Sequence, residues 1–140
     1  MRNVLLFLFC LLSASVYGQN VERIELVNAD LSEFDESINS KATRLLGNVA
    51  FRHENTLMYC DSAYMYREEN RIEAFSNVRI NQGDTLQMTG RRLDYDGNTR
   101  LARIFEDVVM KDRKTVLITS RLDYDMNKEV AFYRSEEHTS

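Results

Sequence analysis

The sequence of 140 residues contains no proline and no tryptophan. Because proline is the residue without a backbone N–H donor, its absence lets every strand of a sheet complete its hydrogen-bond ladder. The chain also lacks a basic excess, since 18 Lys and Arg stand against 22 Asp and Glu, a net charge of -4. A basic patch is the first requirement of nucleic-acid binding, so the composition argues against that class of protein.

Cysteine is scarce as well, with Cys10 and Cys60 alone in the chain. Cys10 lies in a segment typical of a secretory signal peptide, in which Arg2 precedes an apolar run at residues 4–12. That run is far shorter than the roughly 20 residues that a membrane-spanning helix needs. We therefore predict a cleaved signal peptide over residues 1–18 and export to the periplasm. We expect Cys60, left alone, to be buried in a strand, since a single thiol forms no internal disulfide.

The rest of the chain repeats itself at intervals of 29 or 30 residues, as the spacing of Val49, Val78 and Val108 shows. Within each unit apolar and polar side chains alternate, and Val78 and Ile80, for example, flank Arg79. Alternation with β-branched and aromatic residues indicates half-buried strands. No sustained helical period follows the N-terminal segment. The sequence therefore predicts an all-β protein with two long antiparallel strands in each unit.

Turn-forming residues separate the predicted strands. They lie at His53–Asn55, Glu68–Asn70, Gln82–Asp84, Asp96–Asn98, Asp112–Lys114 and Met126–Lys128. Gly, Asn and Asp tolerate the left-handed backbone that tight hairpins need. Stacked units of this kind, each burying a face against the next, predict an elongated body whose two ends expose strand edges.

The side chains that the alternation predicts to face the interior change parity inside the first unit, because Tyr59 and Tyr64 are an odd number of positions apart. An odd step brings the opposite face of a strand inward unless the strand bulges or bends. The second unit contains the same odd step, whereas the step in the third unit is even. We therefore predict bends near residues 61–62 and 90–91 and a straighter strand in the third unit.

Several short motifs of the repeats are similar to those of a known family. They are Gly-Asn-Val at residues 47–49, a Gly-Asp-Thr-Leu turn at 83–86, and Leu-Asp-Tyr-Asp strand ends at 93–96 and 122–125. With these motifs the repeats resemble the OstA-like family, which includes the LptA-type periplasmic bridge and the periplasmic domain of the LptD translocon. The resemblance covers roughly residues 24–133, and repeats aligned in register carry it better than any lone motif.

The resemblance implies an antiparallel β-jellyroll over residues 19–133, built from the ~29-residue repeats, elongated and open at both ends. It implies no catalysis and no cofactor. Residues 134–140 are polar and unrelated to the repeats. We interpret them as a tail that marks a truncated or chimeric gene product.

The resemblance also implies a function, namely binding the acyl chains of lipopolysaccharide in a hydrophobic groove within the periplasm or close to the outer membrane. Other Lpt components, or further copies of the chain, would add to the strand edges. Carried onto this chain, the lipid-binding residues are the predicted inward column. The column comprises Val49, Phe51, Leu57, Tyr59, Tyr64, Tyr66, Ile72, Val78, Ile80, Leu86, Met88, Leu93, Tyr95, Leu101, Val108, Met110, Val116, Ile118, Leu122, Tyr124 and Val130.

Acidic and nucleophilic residues do not form a recognisable catalytic or metal site. Asp94, Asp96 and Asn98 are spaced like the start of a calcium loop, and the pattern recurs at residues 123–127. The glycine and glutamate that complete an EF-hand are missing from both. No nucleophile elbow surrounds Ser62. We therefore expect these acids to be turn residues, and we expect neither a metal site nor an enzymatic activity.

Two classes of function remain open. One is a lipid carrier, either a free bridge or the front domain of a larger outer-membrane translocon. The other is a structural or adhesive β-repeat module, in which the same inward column forms a closed core. Protection of the protein from unfolding by lipid distinguishes the two classes.

Overall fold

The computed structural model describes residues 21–35 and 42–133, which are built from antiparallel strands. No helix in these two ranges is long and apolar enough to cross a membrane. The predicted signal peptide and the predicted polar tail lie outside the described residues. The strands are β1 (Glu25–Asn28), β2 (Leu31–Asp35), β3 (Ala42–His53), β4 (Thr56–Tyr66), β5 (Arg71–Gln82), β6 (Leu86–Asp96), β7 (Leu101–Lys111), β8 (Val116–Asp125) and β9 (Val130–Tyr133).

These strands form one open sheet in which each strand from β3 to β9 pairs with the next along the chain. The two short strands β1 and β2 lie end to end along the free side of β3, β1 opposite Ala50–Arg52 and β2 opposite Ala42–Leu46. Every pairing is antiparallel. The predicted fold class, an all-β antiparallel repeat that does not close, is confirmed.

A bulge interrupts the long strand pairs near their middle. In each bulge two residues oppose one on the following strand, and these are Gly47 and Asn48 in β3, Ser76 and Asn77 in β5, and Glu106 and Asp107 in β7, all with positive φ between 47° and 79°. A bulge shifts the alternation of side chains, so Cys60 and Ala63, three positions apart in β4, are both buried. The predicted interruptions near residues 61–62 and 90–91 are therefore confirmed.

The prediction of a straighter third unit was wrong. The pairing of β8 with β7 breaks between Thr119 and Arg121, opposite the bulge at residues 106–107. Thr119 and Leu122, three positions apart, are both buried. The even step in the sequence came from placing Ile118 inward, whereas its side chain is 73% exposed. All three units therefore share one bulge geometry.

The bulges divide the sheet into two halves that fold over each other around one core. Half A contains residues 49–60, 78–89 and 108–119, and half B contains residues 42–46, 62–75, 91–105 and 121–133. The buried apolar side chains of both halves belong to a single packed cluster. His53 of half A bonds the hydroxyl of Tyr95 in half B, although 42 residues separate them. The fold is thus a rolled sheet with an apolar interior between its halves.

Candidate functional site

The interior between the two halves is lined by large apolar side chains. Phe51, Ile80, Leu93 and Ile104 are each 0% exposed. Within the described ranges, the buried polar side chains are His53, Thr56, Asn70 and Thr119, so no carboxylate, lysine or arginine is buried. Such a surface favours hydrocarbon and offers no charged group to a ligand.

The structure places most of the predicted lipid-binding column in or against this interior. These residues are Val49, Phe51, Ile72, Val78, Ile80, Leu86, Met88, Leu93, Tyr95, Val108, Met110, Leu122 and Tyr124. Their position between the sheet halves is what the alternating pattern predicted. Whether they contact lipid stays a prediction.

The inward placement of the other predicted residues was wrong. Leu57, Tyr59, Tyr64, Tyr66, Leu101, Val116, Ile118 and Val130 point away from the interior, because their immediate neighbours along the strand occupy the core. In β4 both faces are apolar, and in β8 three apolar residues follow one another. Alternation cannot assign the face of such segments. Tyr66 is buried nevertheless, since the guanidinium of Arg71 lies 3.7 Å from the centre of its ring.

Sequence reasoning missed the side chains that occupy these inward positions. They are Thr56, Met58, Ala63 and Met65 in β4, Ala102 and Ile104 in β7, Leu117 and Thr119 in β8, and Ala131 in β9. The strand register shows the cause: Met65 and Tyr95 both pair with Ile72, so the first two units are related by 30 residues here. Aligning the repeats on Tyr66 and Tyr95 instead shifted the first unit by one residue, which exchanges the two faces. The predicted burial of Cys60 in a strand is confirmed.

A seam of side-chain contacts closes the interior where the hairpin turns of the two halves meet. Glu54 of half A forms an ion pair with Arg100 of half B. The hydroxyl of Thr56 lies 3.4 Å from the sulfur of Met126. We call these contacts, together with the pair of His53 and Tyr95, the seam. Because it consists of side-chain contacts, it can part without disturbing the strand ladders.

The residues of the seam hold a definite pattern of hydrogen bonds. His53 Nε2 lies 3.1 Å from the carbonyl oxygen of Glu22, which only accepts, so Nε2 donates this hydrogen bond. Nδ1 lies 2.5 Å from the Tyr95 hydroxyl. Burial raises the pKa of Tyr95, so its hydroxyl stays protonated. Both ring nitrogens of His53 are therefore engaged in hydrogen bonds.

The segment of residues 21–24, which we call the strap, crosses the seam at the N-terminal side of the sheet. Its anchor is Asn70, 3% exposed, whose amide oxygen accepts from the Ile24 N–H at 2.9 Å and whose amide nitrogen donates to the Glu22 carbonyl at 2.9 Å. The side chain of Ile24 packs into the core. The strap thus joins His53 of half A to Asn70 of half B and covers one end of the interior.

The acids that resemble calcium ligands act as turn residues. Asp96 Oδ1 accepts from the N–H groups of Asn98 and Thr99, and Asp125 Oδ1 accepts in the same way from Asn127 and Lys128. Within residues 21–35 and 42–133, His, Cys, Asp and Glu form no cluster of three that suits a metal ion.

Cys60 lies in the core with 6% of its surface exposed, and burial raises the pKa of its thiol to about 12. Relative to a thiol with the usual pKa of 9.0, the reactive thiolate is then about a thousandfold rarer at pH 8. We expect the folded protein to resist alkylation by iodoacetamide at pH 8 and to react fully in denaturant. The check is mass spectrometry of the labelled protein, and rapid labelling under native conditions would place Cys60 at the surface instead.

A family model described as OstA-like protein matches residues 21–139. No curated protein matches the sequence. Among solved structures, the fold is similar to that of LptH from Pseudomonas aeruginosa, described as the LptA homologous periplasmic component of the lipopolysaccharide transport device. The two share 11% identity with a TM-score of 0.71 over 85% of this chain and 87% of LptH. Since the family model spans every described residue, this protein belongs to the OstA-like family.

Proposed function

We propose that the protein is a non-enzymatic periplasmic carrier that binds lipopolysaccharide and forms part of the bridge to the outer membrane. The observation that carries this proposal is the apolar interior between two sheet halves, closed by the seam and the strap. Membership of the OstA-like family supports it, as does the likeness to the LptH fold.

The interior gives an acyl chain a suitable environment. Burial of each methylene contributes about 0.8 kcal/mol, so a few chains hold a lipid without a charged anchor. Met58, Met65 and Met88 lie in the core. Methionine side chains are flexible and fill irregular space, so these walls can repack around a chain of variable shape. Lipid would enter by separation of the two halves along the seam while the strand ladders stay intact.

The two edges of the sheet support a bridge rather than an isolated carrier. At the N-terminal edge Leu31 and Phe34 of β2 are 49% and 61% exposed. At the C-terminal edge Phe132 and Tyr133 of β9 are 61% and 55% exposed. Strand edges with exposed apolar side chains favour the addition of another strand. We propose that other Lpt components or further copies of the chain add here, head to tail.

Lipopolysaccharide is expected to stabilise the protein against unfolding. A ligand present at one hundred times its Kd adds about 2.7 kcal/mol to the free energy of unfolding. The measurement is urea unfolding with intact lipopolysaccharide and, as the control, with its de-acylated oligosaccharide. Stabilisation by the intact lipid alone supports carriage in the interior. Equal midpoints with and without lipid would instead assign the chain to a structural β-repeat module with a closed core.

A further inference from the structure

A groove of about 790 Å³ crosses the outer surface at the level of the bulges, on β1 and on β3 to β7. We call it the belt groove. Its lining includes the buried residues Val49, Ala50, Cys60 and Val78, of which Val49, Cys60 and Val78 also belong to the core. The other lining residues are exposed or half-exposed. The side chains that matter for its chemistry are Tyr59, Asp61, Asn77, Arg79, Arg91 and Asp107.

The polar side chains of the belt groove form two pairs that repeat with the units of the fold. Asn77 Nδ2 donates to Asp61 Oδ2 at 2.7 Å, and Arg91 Nη2 lies 2.8 Å from Asp107 Oδ2. In each pair one partner is the second residue of a bulge, with a φ of 52°. The bulge therefore fixes the direction in which the side chain leaves the backbone. One such polar pair lies at the bulge of β5 and a second at the bulge of β7.

The groove has balanced charge and unused hydrogen-bonding capacity. Two carboxylates, Asp61 and Asp107, stand against two guanidinium groups, Arg79 and Arg91. A carboxylate offers about four acceptor sites and a guanidinium five donors. The Asn77–Asp61 pair uses one acceptor site, and the Arg91–Asp107 pair uses one acceptor site and one guanidinium donor. Arg79 lies 4.6 Å from the centre of the Tyr59 ring, so an aromatic surface adjoins these groups. An ionic ligand of either sign would meet a like charge, whereas a neutral one would not.

We propose that the belt groove binds a neutral saccharide chain. Sugar hydroxyls donate and accept at the same time, which suits alternating acceptors and donors held at fixed positions. The apolar faces of sugar rings suit the tyrosine and the small apolar floor around Ala50. The side chains are exposed, with Arg91 67% and Asp107 72% accessible, so the expected binding is weak, with a Kd of about 1 mM. Tyr59 and the polar side chains of the groove lie outside the core, so the proposal does not rest on lipid carriage.

The test is a titration of the ¹⁵N-labelled full chain, followed by NMR, with two probes. One probe is the N-acetylglucosamine tetramer and the other is an uncharged O-antigen oligosaccharide of lipopolysaccharide, freed of its phosphorylated core. Shifts of the amides near residues 59–61 and 77–79 with either probe are expected. The probe that binds more tightly assigns the source of the saccharide, either a free glycan or the sugar part of a glycolipid.

Two variants and a matched control test whether the saccharide binds in the belt groove and not elsewhere on the protein. Tyr59→Ala and Asp61→Ala should each weaken binding about tenfold. Tyr64→Ala is the control, since Tyr64 is a half-buried tyrosine of the same strand that points outward from half B. Tyr59 and Asp61 lie outside the core, so unfolding midpoints should stay close to that of the parent. Absence of shifts in the belt groove with both probes, or equal loss of binding with Tyr64→Ala, would overturn the proposal.

Discussion

Replacing Ile80 by alanine is expected to lower the free energy of unfolding by about 2–5 kcal/mol. The side chain of Ile80 is 0% exposed and packs in the core of half A. Removing it leaves a cavity that the surrounding strands fill only in part, because bulges and ladders fix their positions. The loss is a large share of the 5–15 kcal/mol that stabilises a typical domain. The measurement is equilibrium urea unfolding with an unchanged m-value.

Ile118→Ala is the matched control for Ile80→Ala. Ile118 also lies in half A, yet its side chain is 73% exposed. Its removal should change the free energy of unfolding by no more than about 0.5 kcal/mol. Equal losses for the two variants would mean that Ile118 faces the interior, as the alternating pattern predicted, and that the face assignment of β8 is incorrect.

Replacing Asn70 by alanine should lower the free energy of unfolding by about 2–4 kcal/mol. The substitution leaves the buried N–H of Ile24 without its acceptor and releases the Glu22 carbonyl. It also places alanine at a φ of 53°, a left-handed conformation that asparagine tolerates better. The strap should then detach, which hydrogen exchange reports as fast exchange of the Ile24 amide.

Asn70→Gly separates the effect of the left-handed backbone from that of the lost hydrogen bonds, and Asn127→Ala is the control. Glycine adopts the left-handed conformation without strain, so Asn70→Gly should cost less than Asn70→Ala, by about 1 kcal/mol. Asn127 is an exposed turn residue that donates to the Thr99 carbonyl at 3.3 Å, and its replacement should cost under about 1 kcal/mol. A protected Ile24 amide in Asn70→Ala would show that the strap is held by contacts other than Asn70.

The sequence predicted the strands, the turns and two of the three losses of register because these depend on local patterns. Gly-Asn-Val at residues 47–49 and its counterparts at 76–78 and 106–108 indicated the repeat, but they were not predicted to be the bulges that the structure shows there. The odd step in β4 indicated the loss of register correctly. Local rules were sufficient there, because alternation and left-handed turn residues act within a few positions.

Two features could not be predicted from these rules. Alternation does not assign the face of β4, where Leu57 and Tyr59 are as apolar as Met58 and Cys60. The seam and the strap depend on side-chain contacts between distant residues, such as Thr56 with Met126, 70 positions apart. No periodicity reports such contacts, since they arise only after the sheet has folded over.

The central claim, that lipid occupies the space between the two sheet halves, is tested most directly by photo-crosslinking in cells that make lipopolysaccharide. A photoreactive amino acid is placed inside at Tyr95 or Tyr124, and outside at Tyr64 or Ile118 as controls. Adducts with lipopolysaccharide at the two interior positions, and none at the outer ones, are the predicted result. Adducts at neither interior position in a folded protein, or equal adducts on both sides, would contradict a lipid-carrying interior.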